Sequence, residues 1–273
     1  MIRTDLAEES ASDARYQGSG FFSEKKDGVT CVRIESEEAA RAIGKPEGAY
    51  YTVDVESFLL SPLSFERDVE RLASVIGRLL PKKAQAPVLV AGLGNRMITP
   101  DAVGPLAVSQ VLVTRHLKDA DLKGFEAVRP VAAVSPGVLG QTGIETALFI
   151  RKMASLVRDG CVVVIDALAA GAPERLLRTV QVCDSGIAPG SGVGNNRAAL
   201  THETVGVPVI AVGVPTVAAL SNIAVLKKDM PDMIVTPREI DQAVEHAART
   251  VAFAVNRALH PDITVQELTA LVG

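Results

Sequence analysis

Two segments constrain this chain more than any others. They are Val90-Ala91-Gly92-Leu93-Gly94-Asn95-Arg96-Met97-Ile98-Thr99-Pro100-Asp101 and Val162-Val163-Val164-Ile165-Asp166-Ala167-Leu168. Each begins as an unbroken apolar run, the pattern of a strand buried on both faces of a parallel sheet. Each also delivers an aspartate at or just beyond the strand's carboxyl end, which in an open α/β sheet is where ligands and chemistry collect. Two carboxylates brought to one crevice can share a proton and run acid–base chemistry.

The rest of the chain is consistent with such a sheet. It has 273 residues, 48% of them hydrophobic, enough to bury one large core. Trp is absent and aromatics make up only 4%, so Val, Ala, Leu and Ile must do the packing. The formal net charge of -4 argues against a general nucleic-acid binder. Cys31, Cys161 and Cys183 are widely spaced and form neither a metal-ligand pattern nor a disulfide framework, which fits a reducing, intracellular setting. Cys161, opening an apolar run, is expected to be a buried small hydrophobe. No apolar signal region opens the chain, and no uncharged apolar run reaches the ~20 residues needed to span a bilayer. A protein that is not exported and has no membrane partner is expected.

Residues 1–27 are rich in polar residues and read as a loosely held arm. Val29–Ile34 and Tyr50–Val55 alternate like strands. Between them Ser36 caps a short helix with Glu37 and Glu38 in its first turn and Gly44 as its stop. Phe65, Val69, Leu72, Ile76 and Leu79 recur at helical spacing up to Pro81. From residue 87 strands and helices alternate. The pattern predicts strands at 87–91, 129–134, 161–166, 178–183 and 208–213, and helices at about 102–116, 143–158, 216–227 and 236–259. Thr236, Pro237 and Glu239 read as the cap and first turn of the last long helix, and Thr264 to Glu267 as a second capping box. The predicted fold class is α/β: a mostly parallel sheet with helices on both faces, plus a small β-rich N-terminal extension.

Each candidate site has a bland reading beside the functional one. Gly92-Leu93-Gly94-Asn95 follows a strand as a dinucleotide fingerprint would, but Met97 stands where its third glycine belongs. These glycines fit better as a tight turn that lets backbone approach a substrate closely. Asp101 and Asp166 could each be a local cap or acceptor, and it is their pairing that points to a site. Two further loops follow strands and could wall a cleft through their amides. One carries Gly137, Gly140, Thr142, Gly143 and Glu145; the other carries Ser185, Gly190, Ser191 and Gly192. No nucleophile motif is present, the four histidines lack zinc-ligand spacing, and His246 and His260 are expected to be exposed.

Read together, several blocks resemble a known family. They are Gly92-Leu93-Gly94-Asn95 with Thr99-Pro100-Asp101-Ala102, then Thr114-Arg115-His116-Leu117, then Pro136-Gly137-Val138 through Gly143-Ile144-Glu145-Thr146. Ile165-Asp166-Ala167-Leu168, Asp184-Ser185-Gly186 through Asn195, Pro208–Val217 and Val235-Thr236-Pro237 follow in order. The resemblance is to the germination proteases of endospore-forming bacteria and runs over most of residues 1–260. It implies an atypical aspartic endopeptidase without a cofactor, located in the cytoplasm of the spore core, that degrades small acid-soluble, DNA-protecting proteins. It further implies a homotetrameric, self-processing zymogen. By this resemblance Asp101 and Asp166 are the catalytic pair, and Asp5–Leu6 is the self-cleavage bond; the trigger expected from the charges is a fall in pH, which would relieve repulsion among Asp5, Asp101 and Asp166. Residues 1–5 are then a propeptide, 6–86 an N-terminal extension and 87–273 the protease core. Two departures stand out: the propeptide is short, and a long polar insertion between Val217 and Val235 is missing. The strand–loop–carboxylate layout is also similar to hydrogenase maturation proteases, whose carboxylates and a histidine meet a substrate metal. The alternative is therefore a metal-sensing or ligand-binding α/β protein with Asp101 and Asp166 as ligands.

Overall fold

The computed structural model describes residues 3–58, 64–119, 128–191, 197–223 and 233–272. The chain opens with α1 (Ala7–Ala14), β1 (Phe21–Lys26), β2 (Val29–Ile34), α2 (Glu37–Ile43), β3 (Gly48–Asp54) and α3 (Phe65–Leu79). It continues through β4 (Val88–Gly92), α4 (Val103–Val108), α5 (Arg115–Asp119), β5 (Val131–Val134), α6 (Leu139–Thr142) and α7 (Thr146–Met153). The last part comprises β6 (Cys161–Ala170), β7 (Thr179–Cys183), α8 (His202–Val205), β8 (Val209–Ala219), β9 (Ile234–Val235), α9 (Ile240–Leu259) and α10 (Val265–Val272).

One sheet carries everything, in the order β1-β2-β3-β7-β8-β6-β4-β5, with β9 added on β8. Its core strands β5, β4, β6 and β8 are mutually parallel, as buried crossover strands should be. The N-terminal strands extend the same sheet through antiparallel pairing of β3 with β7. Apolar residues alternate between the faces. Val163 and Ile165 of β6 join one core with α3, α4 and α9, while Val162 and Val164 join the other with α7 and α8.

Five expectations are corrected. The N-terminal arm is not loose: it forms α1 and β1, and Leu6 and Ala7 are fully buried. Part of its polarity goes into contacts with protein, although β1 and much of the segment after α1 stay exposed. Glu8 pairs with Arg175 at 2.7 Å, and Glu9 accepts the N–H groups of Gly171 (2.6 Å) and Ala172 (2.9 Å). The helix expected over 102–116 is broken after α4, where the buried Asn256 substitutes for the lost helical bonds. It accepts from Leu112 N–H at 2.8 Å and donates to Gln110 O at 2.9 Å. Residues 216–219 are not the start of a helix but the end of β8, an eleven-residue, wholly buried strand rich in Val that pairs with the equally prolonged β6; residues 224–227 of that expected helix lie outside the described residues. The last long helix begins at Ile240 rather than 236, because Thr236 donates its hydroxyl to Thr216 O at 2.8 Å instead of capping. Thr264 does cap α10, with Glu267 returning a bond to the Thr264 N–H. Cys161 is buried, His246 is exposed, and His260, against expectation, is buried beneath the end of α9.

Candidate active site

The site exists because two neighbouring strands end at different heights. β4 keeps register with β6 only as far as Gly92 opposite Ile165, then turns away. β6 runs on to Ala170 beside β8. Asp166 is therefore within β6 rather than at its end, one residue past the last β4 partner, where the sheet opens into a crevice. By strand alternation its side chain points with Val162 and Val164.

Asp101 reaches the same crevice from the β4 side. Gly94, at φ +107°, makes the reversal that brings a short 3-10 turn, Thr99–Asp101, back over the strand end. A Cβ on Gly94 would stand 2.1 Å from the Asp101 carbonyl oxygen, so only glycine permits this approach. Asn95 then donates its backbone N–H to Asp101 Oδ2 at 2.7 Å, and its side-chain oxygen ties the loop to Met97 N–H and Gln141 Nε2. The buried Thr216 of β8 holds the turn by donating to Pro100 O at 2.7 Å.

Asp101 and Asp166 line one cavity of about 260 Å³. Other walls include Gly94, Val138, Thr146, Gly190, Arg197 and Asp5. Asp166 is only 4% exposed. Burial pushes its carboxyl well above the usual range, the charge of Asp101 pushes the same way, and Ala167 N–H, Asp5 and Arg197 have smaller effects of both signs. Asp101 is also raised by burial, opposed by the Asn95 N–H and by Arg197. Both carboxyls, Asp166 the more strongly, are thus disposed to stay protonated at pH values where a lone carboxyl would be ionised.

The loop residues expected to wall the cleft divide. Gly94 and Gly190 do line it. Gly92 instead provides close packing, since a Cβ there would meet Gly104 O at 2.2 Å, and Asn95 orients Asp101 from behind. Gly137 faces a separate shallow depression with Gly94 and Gln141. Gly140, Thr142 and Gly143 are exposed on the outer surface and Glu145 leads into α7, because the chain folds into the short α6 and presents Val138 and Thr146 to the cavity instead. Ser185 and Ser191 line an adjoining cavity, and Gly192 lies outside the described residues. Sequence reasoning missed Arg197, although a lone cation following a Gly-rich loop was the available signal. Asp5, expected as the residue before the self-cleavage bond, also walls this cavity. Among the described residues no group of three or more His, Cys, Asp or Glu is gathered so as to hold a metal ion, and no helix is long and apolar enough to cross a membrane.

The fold and its crevice define an α/β protein with a buried and a half-buried carboxylate lining one cavity where its parallel strands part. The family model for germination protease, Peptidase_A25, matches residues 2–230. The germination protease of Caldanaerobacter subterraneus subsp. tengcongensis is 38% identical over 317 aligned residues, covering 99% of this chain and 98% of that one. That of Clostridium perfringens (strain ATCC 13124) is 35% identical over 100% of this chain and 99% of its own, and that of Bacillus cytotoxicus 34% over 96% and 94%. Among solved structures, the [NiFe] hydrogenase maturation protease HycI from Thermococcus kodakarensis KOD1 aligns at 16% identity and a TM-score of 0.38, covering 68% of this chain and 98% of that one. The chain belongs to the germination protease family and is, by that membership, a peptidase of spore germination.

Proposed function

We propose that this chain is an aspartic-type endopeptidase acting on small acid-soluble spore proteins, with Asp101 and Asp166 as its catalytic pair. The observation that carries the reading is the convergence of these two carboxylates on one cavity in a member of this family. No covalent intermediate is invoked. Asp166, the more buried, has the environment of the proton holder and general acid, able to protonate the scissile carbonyl or the leaving amine. Asp101, steadied as a carboxylate by the Asn95 N–H, has that of the general base that activates water. Arg197 beside the cavity limits the charge the pair accumulates.

Under this reading the protein is made as a zymogen of the spore core, assembles as a homotetramer, and removes residues 1–5 by cutting Asp5–Leu6. That bond is packed in the described structure: the Asp5 carbonyl accepts from Gln181 Nε2 at 3.2 Å and the Leu6 N–H donates to Thr4 Oγ1 at 3.0 Å. Self-cleavage therefore requires residues 3–7 to leave their seat first. The test is incubation with a purified small acid-soluble protein, with and without chelator, mapping cut sites and the new N-terminus by mass. Asp101→Asn and Asp166→Asn should each lower turnover by about a hundredfold or more. Near-normal cutting by either folded variant would overturn the pairing, and loss of cutting on chelation would favour a metal-dependent site.

A further inference from the structure

β8 pairs with β6 residue for residue from Gly213, opposite Asp166, to Pro215, opposite Leu168; the register then slips, so that Ala169 stands opposite Val217. Thr216 is the extra residue, a bulge just beyond the partner of Asp166. Pro215 sits where such a break is tolerated, because it has no N–H to give the ladder. A bulge re-aims the side chain it carries. Thr216 is fully buried and lines the two-aspartate cavity, so its hydroxyl must find a partner.

The partner it takes is the carbonyl of Pro100, at 2.7 Å. The peptide unit joining Pro100 to Asp101 is planar, and its other end is held too, since Asp101 N–H donates to Ile98 O at 2.8 Å. Thr216 thus fixes the plane from which the Asp101 side chain departs. Asn95 and Ile98 belong to the same loop as Asp101 and can move with it, whereas Thr216 belongs to the strand paired with that of Asp166. The Thr216 carbonyl in turn accepts from Thr236 Oγ1 at 2.8 Å, which ties the bulge to the chain entering α9.

We propose that Thr216 is a positioning residue for hydrolysis: the bulge in β8 aims its hydroxyl so that the turn of Asp101 stays at working distance from Asp166. The inference rests on the two-aspartate reading of the crevice and names what keeps the pair together. Loss of the hydroxyl leaves Pro100 O without this donor and lets the turn retreat from β8. Chemistry in which two carboxyls meet one water is sensitive to a shift of about an ångström.

The charged groups that share the cavity with Asp166 are Asp101, Asp5 and Arg197, and the charge of Asp101 acts on it most. A carboxyl 13C NMR titration of the full chain, with the Asp166 signal assigned by Asp166→Asn, therefore reports the separation of the pair without reference to turnover. Thr216→Val keeps the shape of the side chain and Thr216→Ala relieves any crowding; both lack the hydroxyl. In each the Asp166 midpoint should fall by about 0.4 pH unit, as roughly an ångström of retreat gives at an effective dielectric constant of about 20. Thr216→Ser should titrate as the wild type does. On a purified small acid-soluble protein, the Val and Ala variants should lose about tenfold to a hundredfold in kcat with KM within about twofold, the alkaline limb of the pH profile should move down with the midpoint, and the Ser variant should recover most of kcat. A fraction of unfolded enzyme would lower kcat but leave the midpoint and the limb in place. An unchanged Asp166 midpoint in both variants without the hydroxyl, or a Ser variant that behaves as the Val variant does, overturns the proposal. Failure of the proteolytic reading would show differently, as a wild type that cuts nothing while its Asp166 midpoint still responds to the Thr216 hydroxyl.

Discussion

Replacing Asp166 by Asn should make this protein more stable while removing its activity, and the gain can be worked from the surroundings of the side chain. Asp166 is 4% exposed, and the bond described for its carboxylate is the one accepted from Ala167 N–H, which an Asn carbonyl oxygen can equally accept. What Asn removes is an ionisable group that burial, then the charge of Asp101, hold well above its ordinary range. Because the folded value lies above the unfolded one, folding takes up a proton between them. Stability from this group is complete below the unfolded value, near pH 4, and is lost as pH rises to the folded value. Each unit of separation corresponds to about 1.4 kcal/mol. At pH above both values Asp166→Asn should therefore exceed the wild type by about 1.4 kcal/mol per unit of separation measured by titration, each kcal/mol raising Tm by roughly 2–4 °C in a chain of this size. Urea unfolding of both proteins between pH 4 and 8 is the assay. Their stabilities should converge near pH 4 and diverge above it, with the wild type the one that falls. A wild type that gains on the variant as pH rises would mean that Asp166 is held ionised, and would refute both this reasoning and its assignment as the acid.

Two further outcomes follow from the same geometry. Gly94→Ala combines φ +107° with a methyl 2.1 Å from the Asp101 carbonyl, so the turn carrying Asp101 must shift; we expect about 1–3 kcal/mol of destabilisation by urea unfolding and a turnover loss on the order of a hundredfold, far beyond what partial unfolding explains. Leu6→Ala empties a fully buried seat among Leu168, Ala170, Leu176 and Ala218 and should cost about 2–5 kcal/mol, read by calorimetry, with the Asp5–Leu6 region becoming sensitive to added trypsin at Arg3 and Arg15 before the core does.

The parts of this architecture legible in the sequence were those governed by local pattern. Ser36 and Gly44 bracket α2 as their chemistry dictates, the apolar runs at 88–92 and 161–165 become adjacent parallel strands, and the glycine turn carries Asp101 over the strand end. The misreadings have one physical origin: long-range partners overrode local propensity. Residues 214–219 continue as strand because β6 is there to pair with them, and Thr236 spends its hydroxyl on Thr216 rather than on a helix N-terminus. Polar Thr4, Asp5, Glu8 and Glu9 look solvated until the free N–H groups of β6 and the Arg175 guanidinium supply their partners. The two aspartates could be found from sequence because strand ends announce themselves. Lys45 could not be assigned, because it lies in no motif and only the fold brings it beside Asp5, whereas Arg197 had only its place after a Gly-rich loop to mark it.

That overriding also explains how one small region tolerates so many acids. Asp5, Asp101 and Asp166 line one cavity where β4 departs, with Glu9 further along the β6 edge, and like charges brought together there would ordinarily oppose folding. Each is instead given a backbone amide: Asn95 for Asp101, and the alternate residues Ala167, Ala169 and Gly171 of the unpartnered strand edge for the other three. The same edge would otherwise be a row of bare donors inviting another chain to pair with it. The carboxylates and the strand edge thus satisfy each other, but not equally. Asp166 is buried within β6 and Asp101 is held half-buried on its turn, whereas Asp5 is delivered by a short segment hung on Thr4, Leu6 and Lys45. Of the acids along this edge Asp5 also pairs its own backbone N–H with Ala169 O, and its seat lies beside the two carboxylates to which we assign the chemistry.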